Sequence, residues 1–175
     1  MSRAVIVATM LASSRASGLI EVADFLAGLY ISDWDRLSQY WDEENREEAE
    51  TFLRQLCRLS PQRWSSWLER YDHQRRQGDN ATRWRWFRSR LPKGSGSSKP
   101  RWSEALEAVL EHARKITPFH DDAGARRIPI VTSECVLLCI ARSHGSEVSR
   151  KLAVSGLDTV RLECDVLFPR RSPLV

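Results

Sequence analysis

No stretch of this chain is apolar for anything near the roughly 18 residues that a membrane-spanning helix requires, so none of it is expected to cross a bilayer. Cysteine is scarce, and the four that occur, Cys57, Cys135, Cys139 and Cys164, have no CxxC spacing. Set in apolar company, they read as reduced, buried thiols; Cys135 and Cys139 lie i, i+4, but no histidine is placed to complete a metal set. There is no glycine-rich loop ending in Lys-Ser/Thr, no HExxH, and no Ser-His-Asp or Cys-His arrangement at a recognisable spacing. His112, His120, Asp121 and Asp122 form only part of the set that a metal-dependent hydrolase would need. These absences set aside nucleotide-driven motors, zinc proteases and nucleophilic hydrolases. The expectation is a non-enzymatic chain with no cofactor and no metal.

What is present is a globular composition, 42% hydrophobic and 29% charged over 175 residues, enough for one domain with a substantial core. The net charge of +4 is unevenly spread. Residues 1–73 hold 8 basic against 12 acidic side chains, residues 74–101 hold 9 against 1, and residues 102–175 hold 10 of each. The middle therefore carries all the excess positive charge.

Along the chain, Ala4 to Ala12 reads as a packed first helix rather than a secretory leader, with Val5, Ile6, Ala8 and Met10 as its stripe. Asp42 to Leu59 reads as an amphipathic helix, acidic at its start and basic near its end, with Ala49, Phe52, Leu53, Leu56 and Leu59 on one side. Ser60-Pro61 opens another helix bearing Trp64, Trp67, Leu68 and Tyr71. Arg83, Trp84, Arg85, Trp86, Arg88 and Arg90 then interleave cations with aromatics, ahead of a Gly/Ser linker from Lys93 to Lys99. Such a segment can grip phosphates while stacking on bases, or can bury Trp84, Phe87 and Leu91 as one helical stripe and leave its arginines in water.

The stretch from Thr132 to Leu162 is the most ordered in its logic. Thr132-Ser133-Glu134 is an N-cap with an early acid, and Val136-Leu137-Leu138-Cys139-Ile140 makes a helix apolar on all sides. Arg142 to Ser146 breaks it. A short helix with Val148 and Leu152 follows, Ser155-Gly156 stops that one, and Leu157-Asp158 starts a third.

This succession resembles one repeat of the amino-terminal double-repeat domain of the Clp family of AAA+ unfoldases. Trp102 to Lys115, preceded by Pro100, supplies the front helix of that repeat, and residues 4–29 resemble the front of another, with a break at Ser17-Gly18 and Ile20-Glu21-Val22 leading into Phe25-Leu26 and Gly28-Leu29. The chain departs from the family after Leu29, where Asp33 to Trp41 runs into a long acidic insertion, and again in the long loop from Ile116 to Pro129. The fold expected from the resemblance is all-α, in two pseudo-repeated units: residues 1–60 as a degenerate first repeat, 61–101 as an inserted helical and basic linker region, 102–168 as the second repeat and 169–175 as a tail.

The resemblance implies a recognition module, chaperone-associated and adaptor-like, that takes a peptide or helix of a partner protein, such as an ATPase or a secretion-machine subunit, in a groove. Any unfolding work would belong to a separate polypeptide or a region outside this sequence. The implied binding residues are Val22, Asp24, Phe25, Thr132 and Glu134. In some relatives the glutamate of each cap helps hold a phosphorylated arginine; Glu134 has that place in the second repeat and Ala23 in the first, which favours a hydrophobic or helix-in-groove mode. The alternative is a nucleic-acid-binding protein working through Arg83 to Arg90, with affinity falling as salt rises. The expected location is the cytoplasm.

Overall fold

The computed structural model of the chain describes residues 2–15, 17–57, 101–117 and 131–168. Among them the fold is all-α: helices α1 (Ser2–Ser14), α2 (Val22–Leu37), α3 (Glu43–Cys57), α4 (Glu104–Ile116), α5 (Ser133–Ala141), α6 (Glu147–Val154) and α7 (Thr159–Leu167), with a 3-10 turn at Ser38–Tyr40. Two strands of two residues each, β1 (Leu19–Ile20) and β2 (Arg101–Trp102), pair in parallel, Leu19 with Arg101 and Ile20 with Trp102. Trp102, expected in a helix, is thus extended, and the helix begins after it with Ser103 as N-cap. The helix expected from Ser60-Pro61, the Arg83–Arg90 segment, the loop after Thr117 and the tail lie outside the described residues.

α1 and α2 approach closely because small residues face one another. Ala4, Ala8 and Ala12, four apart, are fully buried, and a Cβ built on Gly28 would stand 2.4 Å from the Ala4 carbonyl oxygen. The buried stripe of α1 is Ala4, Val7, Ala8, Leu11 and Ala12 rather than the one expected through Ile6 and Met10, which are half-buried. Alanine wins those positions because two helix backbones this near leave no room for a larger side chain.

α4 buries Leu106, Val109, Leu110 and Ala113 at three- and four-residue spacing, and carries acids in its first turn and bases in its last, as the helix dipole favours. α5 is buried from Ser133 through Ile140. Its all-round apolar sequence is what a helix surrounded by others needs. One core joins both ends of the chain, with Phe25, Leu26 and Leu29 packed in a cluster that includes Leu106, Leu137, Leu138, Leu152 and Leu162.

Residues 2–57 hold three helices and the 3-10 turn, with β1 between the first two helices, and residues 104–167 hold four helices. The acidic run after Trp41 is helix α3. Trp41, just ahead of α3, and Leu157, just ahead of α7, form an isolated antiparallel bridge, and the Asp158 N–H donates to the Tyr40 carbonyl at 2.8 Å. Trp41 is 3% exposed and its indole N–H donates to Ser155 Oγ at 3.1 Å.

Of the cysteines, Cys135 and Cys139 are buried, but Cys164 is exposed on the outer side of α7. The expectation that it is buried fails because Leu162 and Val166, not Cys164, face the core. Burial first, then the neighbouring Cys135, pushes the Cys139 thiol up to about 11, which makes it a poor nucleophile.

Candidate functional site at the N-terminus of helix α5

Thr132 is the N-cap of α5: its hydroxyl accepts from the Cys135 N–H at 3.4 Å and donates to Cys135 Sγ at 3.3 Å. Ser133 and Glu134 follow in the first turn, where the free N–H groups of the helix favour negative charge. Against this turn lies the later part of α2, which breaks at Asp33 (φ −139°, ψ 20°) and resumes in a new direction. The break brings two groups to α5. Asp33 Oδ2 accepts from the Ser133 hydroxyl at 2.5 Å, and the Arg36 guanidinium pairs through Nε with Glu134 Oε1.

The pair is asymmetric. The Glu134 side chain is 8% exposed and that of Arg36 is 61% exposed. Glu134 Oε2, also buried, has no hydrogen-bond partner among the described residues. A buried carboxylate oxygen without a donor is costly, about 1–3 kcal/mol or more for a charged group, so it marks a place with capacity for one. Tyr40 stands close enough for the Glu134 charge to act on its phenol, and its hydroxyl donates to Asp165 Oδ2 at 3.2 Å. Burial and then the Asp165 carboxylate raise the Tyr40 hydroxyl above its ordinary range, so it stays a donor.

The other sequence-selected residues sit at the N-terminus of α2. Glu21 is the N-cap, and its N–H donates to Asp24 Oδ2 at 2.9 Å. The same oxygen takes the Arg15 guanidinium at 2.5 Å. Asp24 is 3% exposed and Phe25 is 1% exposed, its ring 6.5 Å from that of Trp102. Both are buried: Asp24 closes the cap of α2 and Phe25 fills the core. Val22 is half-buried in the first turn. Ala23 and Glu134 hold the same cap position, second after the N-cap, in α2 and α5. Only the second cap therefore has an acid there. The nine residues from Asp24 to the break at Asp33, where Ser133 is met, span about 14 Å of helix, so the two caps are separate places.

Sequence reasoning did not single out Asp33, Arg36, Tyr40 or Asp165. Their partners are about a hundred positions away, and no local pattern marks them. Arg83, Trp84, Arg85, Trp86, Arg88 and Arg90, like His120, Asp121 and Asp122, lie outside the described residues; His112 is exposed on α4. No helix among the described residues is long and apolar enough to cross a membrane.

No family model, no curated protein and no solved structure matches this chain. Among the described residues the chain is all-α, and Asp33, Arg36, Ser133 and Glu134 meet where the break in α2 faces the start of α5.

Proposed function

We propose that the chain is a non-enzymatic protein-recognition module, similar to the amino-terminal domain of Clp unfoldases, that takes a peptide or helix of a partner protein at the N-terminus of α5. The observation that carries this reading is the Glu134 carboxylate: buried, paired with the exposed Arg36, and with one oxygen that no donor reaches among the described residues. The all-α fold with its inner helices α2 and α5 entered through N-caps supports the likeness, since helices of that kind are what the family resemblance implies. With Ala23 in the equivalent place of the first half, the module recognises charge at one cap rather than two. Core and cap residues such as Phe25 and Asp24 hold the helices that present the site.

The test is capture from a native lysate on the intact chain, on Glu134→Gln, and on a variant with Arg83, Arg85, Arg88 and Arg90 all changed to alanine, washed at low and high salt. A defined protein retained at high salt by the intact chain and by the quadruple variant, and lost by Glu134→Gln, is the expected outcome. Recovery of nucleic acid alone, abolished in the quadruple variant, overturns it and makes the basic segment the working surface.

A further inference from the structure

We infer that Arg36 is a built-in occupant of the Glu134 carboxylate, which a cationic side chain of the partner must displace; the inference rests on the recognition reading above and concerns how that site is regulated. Three observations lead there. The acid is the buried member of the pair and the base is the wet one, so Arg36 can swing out into water it already largely has, while Glu134 cannot follow. The contact uses one carboxylate oxygen: the guanidinium reaches Oε1 through Nε and leaves Oε2 without a donor. A guanidinium set fork to fork would cover both oxygens, so an incoming one can make more of this site than Arg36 does. Finally, Arg36 is aimed by the break in α2. Asp33 leaves the helical conformation and accepts from Ser133, and the residues after it are thereby laid across the first turn of α5.

Occupancy by an internal group lowers the apparent affinity for any external one by the fraction of time the site is free. Removing the occupant should therefore tighten binding without adding a contact.

The experiment titrates agmatine, a guanidinium bearing no peptide, into the full chain and follows amide and arginine side-chain NMR signals. Wild type, Arg36→Ala, Arg36→Gln, Glu134→Gln and Arg36→Ala/Glu134→Gln are compared, the Arg36→Gln variant guarding against a fold lost through the alanine. The expected result is binding about tenfold tighter in both Arg36 variants than in wild type, abolished in the double variant. In wild type the Arg36 Nε–H signal should also move as agmatine is added. Equal affinity in wild type and both Arg36 variants, with loss on Glu134→Gln, overturns Arg36 as occupant and leaves the site in place. No binding to any form overturns both the occupant and Glu134 as an acceptor of partner charge.

Discussion

Two residues near helix starts, Asp24 and Thr132, show what single side chains contribute there. Asp24 has both an arginine and a backbone N–H on its carboxylate, yet burial outweighs them and raises its pKa above the ordinary 3.8. The sign follows from linkage: a carboxyl that binds its proton more tightly folded than unfolded costs stability as pH rises from about 3.8 through the folded value. Asp24→Asn should therefore gain on the wild type between pH 4 and pH 7, as measured by urea unfolding at both. A variant that loses ground over that interval would show that the Arg15 pair outweighs burial. Thr132, by contrast, acts through one hydroxyl. Thr132→Ala should lower stability by about 1 kcal/mol and Thr132→Ser by much less, since serine restores the cap.

At the scale of elements, two glycines differ in what surrounds them. Gly28 lies where α1 and α2 touch, and the atom an added Cβ would meet, 2.4 Å away, is backbone, which cannot step aside. Gly156 ends α6 with φ at +76°, and there a Cβ would meet the side chain of Asn45, which can turn. Thermal or urea unfolding should find Gly28→Ala the costlier, at about 3 kcal/mol, against about 1 kcal/mol for Gly156→Ala. Equal costs would mean that α1 shifts freely on α2. The break at Asp33 is the other element-level feature with a consequence. Neither proline nor glycine stands near it in the sequence, and the Ser133 hydroxyl that helps hold it comes from a helix a hundred residues on.

Among the described residues the two halves are joined by the main core and by contacts across it: Trp41 with Leu157, Trp41 with Ser155, Tyr40 with Asp165, and Lys151 with its ammonium 5.8 Å from the centre of the Phe52 ring. Such coupling predicts that the halves lose structure together. Leu138→Ala, in the middle of α5, should cost about 3–5 kcal/mol and speed hydrogen exchange in α1 and α2 as much as in α5. Protection retained in α1 and α2 while α5 exchanges would show that the first half stands alone.

What the amino-acid sequence determined by itself was local. The cap at Thr132, the stop at Ser155-Gly156, the restart at Asp158 and the α3 stripe through Ala49, Phe52, Leu53 and Leu56 all follow from rules that act over three or four residues, and all are present in the fold. The Thr132 and Glu134 end of the site was legible for the same reason. The tertiary structure alone decided that Arg36 meets Glu134, that Asp33 breaks α2 toward Ser133, and that Asp24 and Phe25 are buried. Those outcomes depend on which helix faces join across long stretches of chain, and packing fixes that only when every face is placed at once.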